Sequence, residues 1–204
     1  GNLAGRSYVP LVDTVEEFVR DPESYRVLVP IANPRTESAL VELACALAST
    51  RKKGTVHVAH VVQAPEQATA ADDRRQRERI VEESARQLED IERLAEQYDV
   101  EFETSTIVSY RSFEAVFDRA TRTRPDLVLM NWEKDGLWAS ARAERPLAEL
   151  TNRLPSDFLV VKDRGGDSSK VLIPTAGGPA SDLSADIARG LRGAVGSEIT
   201  LLHV

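Results

Sequence analysis

One cysteine in 204 residues leaves this chain without a disulfide framework or a cysteine-based zinc site. Cys45 falls on the apolar side of a predicted helix and reads as a small core residue rather than a reactive thiol. Aromatic residues are scarce, at 5%, so the two tryptophans need a reason to be there. Basic residues are outnumbered, with 26 Lys and Arg against 33 Asp and Glu. The resulting net charge of −7 argues against a nucleic-acid partner, whose phosphates demand basic patches. No apolar run is long enough to span a bilayer, and no signal-peptide pattern opens the chain. The sequence begins at Gly1 and stops at Val204 inside a predicted strand, as expected of a piece cut from a longer protein.

What is present is enough apolar residue, 42%, to pack a core, and a pattern stated twice. "VLVPIANPRTESALVELACALA" starts at Val27, and "VLIPTAGGPASDLSADIARGL" starts at Val171. Each runs from an apolar stretch through a proline and a small polar turn into a helical pattern. Each then leads to a second apolar stretch ending in His-Val, at Val61 and at Val204. Agreement in element type, order and spacing reads as an internal repeat. One unit ends near Lys162, and a second begins and is incomplete.

Thr14 to Glu17 fits a capping box, which predicts a short helix near 14–20. "YRVLVPIA" is a continuous apolar run, as expected for a strand buried on both faces of a parallel sheet. The next helix places Leu40, Leu43, Ala44 and Leu47 on one stripe. "TVHVAHVV" is a second strand, followed by a long helix over 70–98 with Ile80, Leu88, Ile91, Leu94 and Tyr98 on its inner face. Its outer face offers Arg79/Glu83, Glu82/Arg86 and Glu89/Arg93 as pairs four residues apart. The pattern continues as strand "EFETSTIV", helix near 112–122, strand "DLVLMNW", helix near 144–153 and strand "DFLVVKD". A Gly/Ser-rich link at 163–169 leads to a strand at 170–175, a helix at 182–194 and a strand at 198–204.

Strands alternating with helices predict an α/β fold, a doubly wound five-stranded parallel sheet followed by an incomplete β-α-β copy. The expected organisation is a connecting segment at 1–24, a domain at 25–163 and the start of a second repeat at 170–204. About 35 residues cannot bury a core alone. The second unit must therefore lean on the first, pair with another chain, or be completed by further sequence.

"RVLVPIANPRTESALVELACALA", "GTVHVAHVV", "DLVLM" and "LPSDFLVVKD", in that order, resemble the universal stress protein (UspA-like) family. The likeness covers nearly all of 25–163 and restarts at 170. It implies a five-stranded parallel sheet with helices on both faces, often in a dimer. Nucleotide-binding members carry an Asp at the end of the first strand, where this chain has Ala32 and, in the second copy, Ala176. They also carry a loop Gly-x2-Gly-x9-Gly-Ser/Thr after the fourth strand, which brings backbone N–H groups to phosphates. Here those positions read Asn131, Lys134, Glu144 and Arg145, with Gly136 off register. The resemblance thus implies no ATP cofactor. "IANP" and "TAGGP" look closer to the tandem copies associated with cytosolic tails of prokaryotic amino-acid permease-like transporters.

The most ligand-like loop left is Thr175, Gly177 and Gly178, which could admit a phosphate or adenosine moiety, or serve only as a tight turn before a helix. Trp132 and Trp138 flank "EKDGL" and read either as interface anchors for a dimer partner or a transporter body, or as residues that simply pack the loop. His57 and His60 lie three apart on one strand, point to opposite faces and cannot share a metal. They and His203 read as core or sheet-end residues. Ser109, Tyr110 and Ser112 end the third strand without a His or acid partner, and Ser112 reads as a helix cap.

The expected function is a non-catalytic cytosolic regulatory or dimerisation domain of a prokaryotic membrane transporter. Its partners would be a second copy and the membrane-spanning part of the same polypeptide, on the cytoplasmic face of the membrane. The alternative is a free-standing tandem stress protein that binds a nucleotide, with the second unit as its site.

Overall fold

The computed structural model describes residues 23–64, 70–131, 137, 156–162, 170–175 and 199–203, with the backbone alone at 70–73, 112, 113, 162, 170–175 and 199–203. The apolar run predicted as a doubly covered strand forms β1 (Ser24–Ile31), with Val27, Leu28, Val29 and Ile31 all buried. α1 (Ser38–Ser49) buries the predicted stripe of Leu40, Leu43, Ala44 and Leu47, and Cys45 with it. Burial, with help from the neighbouring Glu42, pushes the Cys45 thiol up to about 12. That is the inert, core-filling cysteine the sequence implies.

β2 (Lys53–Gln63) begins hard against the end of α1. A Cβ on Gly54 would lie 2.0 Å from the Ala48 carbonyl oxygen, so the close approach of strand and helix backbone admits only glycine. α2 (Ala70–Ala95) packs through Ser84, Leu88, Ile91 and Ala95. The helix stops three residues short of the predicted end, although Tyr98 still packs against the core beside Leu94. The outer-face ion pairs differ from those expected. Arg86 meets Glu83 at 3.0 Å and Arg93 meets Asp90, each three residues away rather than four. Both spacings put side chains on one face, and the shorter Asp90 favours the nearer partner.

β3 (Glu101–Ser109), α3 (Ser112–Thr123), β4 (Leu127–Asn131) and β5 (Asp157–Lys162) follow. The α3 N-cap position is Arg111, with no side-chain cap bond. Local bonding at that corner comes instead from Ser109, whose hydroxyl accepts from the Arg111 N–H and donates to the Arg111 carbonyl, each at 3.1 Å. α3 closes on Arg124 in the left-handed region (φ 43°), just before Pro125. Asp126 then joins β4 to β1: its carboxylate accepts from the Arg26 N–H at 2.8 Å, and its own N–H donates to the Arg26 carbonyl at 2.9 Å.

The strands run β3-β2-β1-β4-β5, all parallel, with α1 and α2 packed on one face and α3 on the other. This is the doubly wound five-stranded sheet predicted. β6 (Lys170–Thr175) and β7 (Ile199–His203) extend the same sheet beyond β5. β7 is parallel to β6, as β2 is to β1. β6, however, runs antiparallel to β5, pairing Lys162 with Lys170 and Val160 with Leu172. The cause is the length of the link. A link of seven residues can turn a chain back on itself, but a parallel crossover needs a dozen or more. The helices predicted near 14–20, 144–153 and 182–194, and the link itself, lie outside the described residues.

Candidate functional site

In a doubly wound sheet, ligands bind at the carboxyl ends of the strands where the winding reverses. Here that switch point lies between β1 and β4, because β2 and β3 extend the sheet on one side and β4 and β5 on the other. The β1–β4 ladder consists of Val27 with Leu127 and Leu28 with Val128, both in the first part of each strand's buried run. At the opposite, carboxyl ends, Ala32 follows β1 directly and Asn131 is the last residue of β4.

The loop after β1 is organised around one acid. Ala32 and Asn33 are exposed, whereas Glu37 is only 5% exposed. Its Oε2 accepts the Ala32 N–H at 2.8 Å and the Asn33 N–H at 2.7 Å. The backbone of the same turn is closed by the Glu37 N–H, which donates to the Asn33 carbonyl at 3.2 Å. The Asn33 side chain accepts from the Arg35 N–H at 3.0 Å, the local turn chemistry that Asn-Pro sequences favour. Two adjacent amides sharing one carboxylate oxygen is the arrangement by which backbones usually hold anions.

The carbonyl side of Ala32 is held as well. His60 Nε2 donates to it at 3.2 Å, since a carbonyl can only accept. The proton on Nε2 leaves Nδ1 of the neutral ring as an acceptor, and the Ser84 hydroxyl donates to it at 2.7 Å. Thr106 lies 2.5 Å beyond, oxygen to oxygen, and completes the line. β1, β2, α2 and β3 are thereby tied through one buried polar chain. Burial holds the His60 imidazole below its ordinary range, partly offset by the bond to Ala32.

His57 points to the other face, as its spacing requires, and its Nε2 is 2.8 Å from Ser105 Oγ. Burial first, then the Arg119 and Arg26 guanidinium groups, push it down to about 4. Neither histidine has metal-ligand company: among the described residues no cluster of three His, Cys, Asp or Glu could hold an ion. Among those residues, too, no helix is long and apolar enough to cross a membrane.

Of the loop proposed as most ligand-like, Thr175 ends β6, while Gly177 and Gly178 lie outside the described residues. Because β6 is antiparallel to β5, Thr175 sits at the opposite end of the sheet from Ala32 and Asn131. Trp132 and Trp138, with Lys134, Gly136, Glu144, Arg145 and Ala176, also lie outside the described residues. Leu137, between the tryptophans, is buried in the α3-face core. Glu37, Ser84 and Thr106 were not singled out from sequence. The available signal was an acid just ahead of an apolar helical stripe, a position favoured by the helix N-terminus.

The universal stress protein family profile matches residues 24–162. The chain belongs to the universal stress protein family. No curated protein matches it. Among solved structures, it is similar to a hypothetical protein studied as a structural-genomics test of function assignment. The two are 20% identical over 69% of this chain and 97% of the other, with a TM-score of 0.48. A universal stress protein in complex with cAMP is 16% identical over 67% and 94% of the two chains, with a TM-score of 0.44. A universal stress protein family protein from Arabidopsis thaliana with AMP bound is 15% identical over 69% and 93%, with a TM-score of 0.39. Within this universal stress protein domain, the carboxyl end of β1 offers alanine where nucleotide-binding members are expected to carry aspartate. The adjacent amides are bonded to the chain's own Glu37.

Proposed function

We propose that this universal stress protein domain is a non-catalytic regulatory module that works through protein contacts rather than through a bound nucleotide. The observation that carries this reading is the loop after β1, where Ala32 offers no side-chain hydrogen bond and the Ala32 and Asn33 amides already serve Glu37. Asn131, at the end of β4, replaces a glycine that would let a phosphate approach the backbone.

The partners proposed are a second copy of the domain and the membrane-spanning part of the same polypeptide, an amino-acid permease-like prokaryotic transporter. The domain would then sit at the cytoplasmic face of the membrane. Support comes from the "IANP" and "TAGGP" turns and from the absence of the family's phosphate loop. Trp132 and Trp138 are the proposed contact anchors. The test is the coding sequence upstream of Gly1 together with sedimentation of the domain. The reading expects several apolar runs of about 20 residues upstream and self-association weakened by Trp132→Ala or Trp138→Ala. An upstream frame without such runs contradicts the transporter assignment, and unchanged association in both variants contradicts the anchors.

A further inference from the structure

The loop after β1 has the parts of an anion seat and also an occupant. Two consecutive N–H groups converge on one oxygen, at 2.8 and 2.7 Å, at the carboxyl end of the strand beside the switch point. His60 bonds the Ala32 carbonyl, which shares a planar peptide unit with the Asn33 N–H, so the orientation of that amide is fixed independently of Glu37. The oxygen is supplied from within, by a side chain buried under an exposed turn. Burying a carboxylate is costly unless it is well bonded, and this one is not spent on capping: Glu37 holds the N-cap position of α1, but its side chain makes no cap hydrogen bond to the helix.

We propose that Glu37 is a built-in occupant of an anion seat, and that its carboxylate is what closes the β1–α1 loop to external anions. The seat is specific for a small oxyanion, a carboxylate or phosphate oxygen that can accept both amides at once. This rests on the reading that the domain binds no nucleotide at this loop, and it supplies the reason. Removal of the acid, with His60 left in place, leaves the Ala32 and Asn33 amides converged on a vacant volume of carboxylate size.

The test is chemical rescue. Glu37→Ala is titrated with sodium formate, with sodium chloride at equal ionic strength as control, while thermal unfolding and the amide resonances of residues 32 and 33 are followed. Inorganic phosphate is the second probe. Expected is a saturable rise in the Glu37→Ala midpoint of about 3–6 °C with formate, relative to chloride. The two amides should move together in the variant and stay still in the natural protein. Glu37→Gln, whose amide oxygen can still accept both bonds, should not respond. If the alanine variant does not fold, Glu37→Asp replaces it, since the shorter acid cannot reach both amides. A responding variant supports the proposal, and formate and phosphate both without effect on the variant overturn it. A parallel titration of the natural protein with AMP separates the two claims. AMP shifting amides 32 and 33 there defeats the nucleotide-free reading itself, whereas silence there with an unresponsive variant defeats only the seat.

Discussion

His60 and Ala32 are joined across 28 residues of sequence by a 3.2 Å hydrogen bond that turns a buried ring into a brace for the loop after β1. The ring is in turn placed by Ser84, 1% exposed on α2, and through it by Thr106 on β3. Ser84→Ala removes the middle of this line and strands His60 Nδ1 without its donor. Leaving a buried polar group unmet costs about 1–3 kcal/mol. The expected loss of stability, measured by urea unfolding, is of that size, with amides 32 and 33 exchanging faster. A loss below about 0.3 kcal/mol would mean that the line carries no weight.

Acid should destabilise the fold through His57 and His60. Both are held below the ordinary imidazole range when folded, His57 to about 4. Their unfolded forms titrate near the ordinary imidazole value of about 6.5 and bind protons first as pH falls. Stability is therefore fully present above about pH 6.5 and is lost progressively between 6.5 and 4. His57 alone contributes on the order of 2–4 kcal/mol over that window. Urea midpoints measured from pH 8 to 4 should be flat and then fall. A midpoint rising on acidification through pH 6 contradicts the assignment.

β2 approaches the end of α1 closely at Gly54, where any Cβ would meet the Ala48 carbonyl oxygen at 2.0 Å. Gly54→Ala must push β2 away from the end of α1. A loss of about 1–3 kcal/mol is expected, the range for forced overpacking. A Gly54→Ala protein with an unchanged denaturation midpoint would show that α1 is free to shift.

Arg124 is exposed and adopts φ 43° at the end of α3. Left-handed backbone costs a residue with a Cβ about 1 kcal/mol. Glycine relieves that cost, and its larger unfolded-state freedom takes part of the gain back. Arg124→Gly should stabilise the protein by about 0.3–1 kcal/mol in chemical unfolding. Destabilisation would indicate a role for the arginine side chain.

The core was legible in the sequence because burial leaves a periodic trace. Val27 to Ile31 reads as one apolar run since both its faces are covered, and Leu40, Leu43, Ala44 and Leu47 read as a stripe since one helix face is. The opposite directions of His57 and His60 followed from strand alternation alone. The site was less legible. Ala32 and Asn131 could be placed by family likeness, but they announce only what is missing. Glu37 looks like a solvent acid in "NPRTES", and its burial depends on a turn that folds it back beneath residues 32 and 33. Ser84 and Thr106 come from different elements, and no local pattern joins them to His60. The reversal of β6 was likewise hidden, because the repeat predicts a like strand but not its direction, which the short link decides. The outer-face ion pairs shifted from four residues to three because both spacings share a helix face, and sequence does not choose between them.

The most direct test of the account is calorimetric titration of the domain with ATP and AMP in the presence of magnesium. With Ala32 at the end of β1 and its amide and that of Asn33 committed to Glu37, the account predicts no heat beyond dilution for either nucleotide. Micromolar binding of either, accompanied by shifts of the residue 32 and 33 amides, would contradict it.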